Sequence, residues 1–79
     1  MITQVQTIVL ANATQVVTGS SIDLINRGAA TGSFTGNAAN CVPVDLPVSA
    51  SYTFEYNKTG YSGILVDATG TEIHIVRKF

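Results

Sequence analysis

Apolar and polar residues alternate with a period of two along most of the chain. The clearest case is the segment 51–57, in which Tyr52, Phe54 and Tyr56 are separated by small or polar residues. Because successive side chains of a β-strand point to opposite faces, this spacing predicts a strand with an aromatic row on one face. Such a row is typical of one wall of a sandwich core, and the alternative is an exposed platform on which a sugar could stack.

Two β-branched runs follow, at 64–66 and 71–77, with Asp67, Thr69 and Gly70 between them. Asp, Thr and Gly between two such runs are typical of a hairpin turn, in which glycine readily takes a positive φ. Together with the aromatic strand, these runs predict a three-stranded C-terminal meander over residues 51–77.

The first predicted strand, residues 3–10, is apolar on both faces. Val5 and Val9 share one face, and Ile8 and Leu10 share the other. Two explanations fit this pattern: the strand lies between two layers, or it pairs across a subunit boundary.

Shorter strands are predicted at 15–18 and 22–27, and the glycine-rich segment 28–40 follows them. A loop of that length is unusual in a small domain, so we expect a short strand at 32–35 between two turns. Phe34 is then an inward anchor. The alternative is an exposed aromatic contact on a flexible loop.

Pro43 and Pro47 lie four residues apart in the segment 41–48. Proline has no backbone N–H, so this segment is predicted to be an edge strand or an extended arm. Another subunit could add to such an edge.

These short strands without a helix predict an all-β fold: a small β-sandwich or jelly-roll-like barrel of about 6–8 antiparallel strands. Residues 1–79 are expected to form a single domain, with extended arms at the N-terminus and at 41–48. A chain of 79 residues has only a marginal core. Its single cysteine and single histidine exclude an internal disulfide and a four-ligand zinc site.

Charge is scarce: 11% of residues are charged, against roughly 25% in ordinary soluble domains, and mean hydropathy is +0.31. We therefore expect contacts with copies of the same chain or with a larger protein, the plainer alternative being a neutral, threonine-rich β-domain. A net charge of −1 gives no general attraction to nucleic acid or to membranes. Residues 1–17 contain no Lys or Arg and no long apolar run, so secretion by a signal peptide is not expected.

No catalytic, cofactor-binding or metal-binding residue is predicted, and the chain is expected not to be an enzyme. Cys41, His74 and an aspartate could supply the atoms of a nucleophilic site, but nothing in their spacing brings them together. Cys41 is expected to be a small buried hydrophobe. His74 is expected on a polar face, exposed or at an interface, with a pH-sensitive contact as the alternative.

The threonine-, alanine-, asparagine- and glycine-rich segment 28–40, the N-terminus without a leader and the closing segment 61–72 resemble small all-β accessory proteins of bacteriophage particles, such as head-decoration, minor capsid or tail proteins. The resemblance extends over the whole chain in style and carries over no functional residue. It implies a repeated subunit of a virion, assembled in the host cytoplasm.

The functional expectation is therefore a non-enzymatic structural subunit that acts through protein–protein contacts. The candidate contact residues are Phe34, Pro43, Pro47, Tyr61 and Phe79. The alternative is a small binding module that recognises glycan or peptide through Tyr52, Tyr56 and Tyr61.

Overall fold

The structure, a computed structural model, describes residues 4–36, 40–55 and 57–79. The described residues form eight β-strands and no helix. In chain order these are β1 (Val5–Ala11), β2 (Thr14–Gly19), β3 (Ser21–Asn26), β4 (Gly32–Thr35), β5 (Val44–Leu46), β6 (Ser51–Phe54), β7 (Tyr61–Asp67) and β8 (Glu72–Lys78).

The strands form two four-stranded sheets, and every neighbouring pair is antiparallel. The first sheet has the order β1-β8-β3-β6, and the second has the order β2-β7-β4-β5. The predicted all-β, sandwich-like fold is thus confirmed. The strand at 32–35 is also confirmed, as β4.

The predicted meander over 51–77 is wrong. β6 pairs with β3, β7 lies in the second sheet between β2 and β4, and β8 returns to the first sheet between β1 and β3. The turn at 67–70 therefore crosses between sheets, although Gly70 has the expected positive φ of 77°. Alternation of apolar residues fixes which face of a strand is buried, but it does not fix which strand lies beside it.

The core lies between the sheets and is made of side chains from both. Its buried apolar residues are Leu10, Val17, Ile22, Leu24, Phe34, Leu46, Ile64, Val66, Ala68, Ile73 and Ile75. β1 contributes Leu10 and the partly buried Ile8, while Val5 and Val9 face outward and are exposed. Among the described residues β1 is an edge strand and nothing covers its outer face, so it does not lie between two layers of them.

Asn26 ends β3 inside this core and is completely buried. Its Nδ2 atom donates to the carbonyl oxygens of Ala30 and Leu46, each at 2.8 Å. Its Oδ1 atom accepts from the backbone N–H of Gly28 at 2.9 Å and from the Thr71 hydroxyl at 2.8 Å. The amide thereby joins β3, β5 and the two loops at this end of the sandwich, and it fills its hydrogen-bonding capacity.

Candidate interaction surface

Four aromatic rings meet where β6, at the edge of the first sheet, faces β4 and β7 of the second. Phe34 on β4 lies 4.8 Å from Tyr52 and 5.6 Å from Phe54, between ring centroids. The Tyr52 and Phe54 rings are 5.0 Å apart, and Phe54 lies 5.5 Å from Tyr61. These separations are typical of favourable tilted and edge-to-face pairs. We call these four rings the aromatic cluster.

Burial falls steeply across the aromatic cluster. Phe34 is 4% exposed, whereas Tyr52 is 46% exposed. The reason is the position of β6, which has a neighbour on one side only. The predicted aromatic row thus packs against the core at Phe54, whereas Tyr52 lies at the rim of the core and is half exposed. Tyr56, the third member of the predicted row, lies outside the described residues.

The outer face of the first sheet carries apolar and hydroxyl side chains with few charges. Val9, His74 and Ile25 are register partners in one row across β1, β8 and β3. His74 is partly exposed, as predicted, and its Nε2 lies 2.6 Å from Oε2 of Glu72. Toward the other end of β8, Nζ of Lys78 lies 3.3 Å from Oδ2 of Asp23 on the same face. The few charged side chains of this face therefore lie in two close pairs.

The outer face of the second sheet has a similar character. Val16 on β2, Leu65 on β7 and Thr35 on β4 are register partners in one row. Val16 and Leu65 are both exposed. The chain therefore presents apolar side chains on the outside of both layers, at positions whose parity is opposite to that of the core residues.

A shallow cavity of about 190 Å³ opens on the same outer face. It is lined by Thr31, Gly32, Ser33, Asp45, Asp67 and Thr69. Hydrogen bonds from the Thr69 side chain, and then from its backbone N–H, lower the pKa of Asp67 from its ordinary value. Among the residues that the structure describes, no three histidine, cysteine, aspartate or glutamate side chains cluster as metal ligands would.

The candidate contact residues lie in different surroundings. Phe34 is buried, so it is the inward anchor and offers no contact surface. Pro43 and Pro47 are exposed and flank the edge strand β5, in agreement with the edge position that the prolines require. Tyr61 is partly buried in the aromatic cluster. Phe79 is 38% exposed beneath the Arg77 guanidinium, whose Cζ lies 4.4 Å from the ring centroid.

The two residues considered for nucleophilic catalysis, Cys41 and His74, belong to different sheets. His74 is on the outer face of the first sheet, whereas Cys41 follows β4 of the second, beside Gly36. Cys41 is exposed, so the expectation of a buried cysteine is wrong. The segment before β5 lies on the surface because proline and the short edge strand leave it few backbone partners.

Sequence reasoning missed two of these features. The outer rows through Val9 and Val16 could have been found from parity, since each valine alternates with core residues of its own strand. The placement of Asp45 and Asp67 on either side of Ser33 depends on β4 lying between β5 and β7, and no local pattern reveals that order.

Comparisons of this chain with protein-family models, with curated proteins and with solved structures give no match. Within the described residues, no helix has the length and apolar character needed to cross a membrane.

Proposed function

We propose that this protein is a non-enzymatic structural subunit that works by protein–protein contact within a larger assembly. The observation that carries the proposal is the placement of large apolar side chains on the outside of both sheets. On the outer faces these are Val5, Val9, Val16 and Leu65. Val42, Val44, Val48, Tyr52 and Phe79 add exposed apolar surface at edge strands and in the segments beside strands. Exposed apolar surface of this kind on a charge-poor domain is typical of surface that a partner covers.

The assembly that we propose is a bacteriophage virion, in which this chain is a decoration, minor capsid or tail component. Support comes from the resemblance in style to small all-β phage accessory proteins and from the scarcity of charge. In a symmetric particle each subunit makes many contacts at once, so individually weak neutral contacts add up to stable attachment. The partners are copies of this chain, a larger virion protein, or both.

The first test is the association state of the purified chain. Sedimentation velocity and light scattering over a wide concentration range should show oligomers, or loss of solubility as concentration rises. A rigid monomer that stays monodisperse at high concentration would overturn the proposal. Mass spectrometry of purified particles from the source phage tests the virion assignment separately, and absence of the chain from them would remove it.

The aromatic cluster supports a second candidate, a module that binds glycan or peptide. The specific observation is that Tyr52 combines 46% exposure with ring contacts to Phe34 and Phe54, which hold it in a fixed orientation. A half-exposed, rigidly held tyrosine suits stacking against a sugar face or a proline ring. Titration of a glycan panel, followed by two-dimensional NMR, should move the Tyr52 and Tyr61 signals if this candidate is correct.

A further inference from the structure

The four edge strands of the two sheets differ in how well they could accept another strand. β5 has three residues and lies between Pro43 and Pro47, and β6 has four residues. β2 carries a register shift between Val17 and Gly19. β1, by contrast, has seven residues in an unbroken register with β8.

The hydrogen bonds of β1 show which of its backbone groups remain available. Gln4 and Phe79 exchange both backbone hydrogen bonds, at 2.8 and 3.0 Å. In an antiparallel ladder the direction of these groups alternates along the strand, so every second residue from Gln4 bonds to β8 and the intervening ones point away from it. The N–H and C=O groups that point to the free edge belong to Val5, Thr7, Val9 and Ala11.

Nothing on β1 discourages pairing. Residues 4–11 contain no proline and no charged side chain. Natural edge strands are usually protected by lysine, proline, a bulge or short length. The other three edges show at least one of these protections, and β1 shows none of them in its described residues.

We propose that β1 pairs with β1 of a second copy, antiparallel and about a two-fold axis near Ile8, so that two first sheets join into one eight-stranded sheet. The inference rests on the proposed function, since it names the contact through which the subunit meets its own copy. A two-fold axis perpendicular to the sheet keeps both cores on the same side, as an isologous interface requires.

The register follows from complete overlap of the seven residues. Val5 then lies opposite Ala11 of the second copy, and Thr7 lies opposite Val9 of the second copy. All of these side chains belong to the outer face, and their backbone groups point to the free edge. None of these opposed pairs places like charges across from each other, the arrangement that destabilises cross-strand pairs.

The charged residues at the two ends of the interface are compatible with the same arrangement. Lys78 is the register partner of Val5, and Glu72 is the register partner of Ala11. Pairing about Ile8 therefore brings Lys78 into the same row as Glu72 of the second copy, about 14 Å away between Cα atoms for three strand spacings. At that distance, and with Lys78 beside Asp23 and Glu72 beside His74 in their own subunit, the attraction is largely screened. No like charges oppose each other across the interface.

The test compares Val9→Lys with Val16→Lys. Both valines are 58% exposed, and both lie on edge strands, one in each sheet. In the proposed dimer the two lysines introduced by Val9→Lys, one from each copy, would be diagonal neighbours, so the dimer dissociation constant should rise about tenfold or more. Val16→Lys should leave it unchanged. Sedimentation equilibrium measures the constants, and circular dichroism verifies the fold. If Val9→Lys does not fold, Thr7→Lys takes its place.

The outcomes separate this inference from the proposed function. If the wild type associates and Val9→Lys does so equally, pairing through β1 is overturned while the structural-subunit proposal stands. If the wild type is monomeric at every concentration, both are overturned. Equal weakening by both substitutions would indicate general charge repulsion and would overturn the edge contact.

A cysteine experiment tests the register. In a Cys41→Ser background, Val5→Cys and Ala11→Cys proteins are mixed and oxidised. Opposed residues of a hydrogen-bonded antiparallel pair have Cα atoms about 5.5 Å apart, within the range for a disulfide. The mixed disulfide dimer should form at least several-fold faster than either self-disulfide. Equal rates would overturn the proposed register.

Discussion

The hydroxyl of Thr71 donates a 2.8 Å hydrogen bond to Oδ1 of Asn26, and both residues are buried. Asn26 ends β3 of the first sheet, and Thr71 belongs to the turn that brings the chain from β7 of the second sheet back to β8. One buried amide therefore fixes the geometry at which the chain changes layers. No buried side-chain nitrogen or oxygen of the described residues lacks a partner, so this polar site is fully satisfied.

Asn26→Asp should destabilise the fold strongly. A carboxylate cannot donate to the Ala30 and Leu46 carbonyls, so two buried acceptors lose their donor and a charge is buried without a cation. We expect a loss of about 3 kcal/mol or more in the free energy of unfolding, measured by urea denaturation at one fixed protein concentration. Thr71→Ser keeps the hydroxyl and is the control. A variant as stable as the wild type would show that the amide donors are dispensable.

Gly28→Ala should destabilise the fold far more than Gly70→Ala. A Cβ at Gly28 would lie 2.0 Å from Thr71 Oγ1 and 2.3 Å from the Glu72 backbone nitrogen, so the backbone of that turn would have to move. At Gly70 nothing lies within 4 Å, and the positive φ alone opposes alanine, at about 1–2 kcal/mol.

Thermal unfolding of the two glycine variants measures the difference. Gly28→Ala should lower the melting temperature by several times the decrease of Gly70→Ala, and Gly70→Asn should lose less than Gly70→Ala because asparagine tolerates this conformation. Equal decreases would mean that the turn at Thr71 and Glu72 can move to accommodate a Cβ at residue 28.

Much of the fold follows from alternation alone. Ile22, Leu24 and Asn26 share one parity on β3, and all three are buried. The strand β4 with its inward Phe34 is predicted differently, from the unusual length that a loop over 28–40 would have. Parity reports the face of a strand because side chains alternate strictly in an extended chain.

Strand neighbours could not be predicted in this way. β7 and β8 are consecutive, and both have an apolar inner face, yet they lie in different sheets. The turn between them buries Ala68 in the core, and its last residue, Thr71, donates a hydrogen bond to Asn26. Which residues meet at the surface depends on that order. The exposure of Tyr52 follows from β6 being an edge. Asp45 and Asp67 line the same cavity because β4 lies between their strands. Both are non-local properties.

Phe34→Ala should cost about 3–5 kcal/mol of unfolding free energy, because it leaves a cavity in the core. Tyr52→Ala should cost about half as much, since nearly half of that residue is already in water. Urea denaturation measures both, with Tyr52→Phe as the control for the hydroxyl. The two changes also separate the functions: a folded Tyr52→Ala protein that loses a ligand favours the binding module, whereas one that keeps its assembly state favours the structural subunit.

The Asp67 carboxylate should stabilise the fold only at pH values above the range in which it titrates. Its pKa is lowered from 3.8, first by the hydrogen bond of the Thr69 side chain and then by the Thr69 backbone N–H, which lies 2.9 Å from Oδ1. A carboxyl whose folded pKa lies below its unfolded pKa stabilises the fold above the unfolded value, and this contribution is lost as pH falls through the folded value.

The loss is therefore expected below about pH 4, where the unfolded carboxyl begins to take up its proton. Carbon-detected NMR titration of Asp67 should give a pKa below 3.8 in the wild type, and Thr69→Ala should raise it toward that ordinary value. Thr59→Ala, in the turn before β7, should leave it unchanged. A pKa at or above 3.8 in the wild type would show that the hydrogen bonds of Thr69 do not favour the ionised form of Asp67.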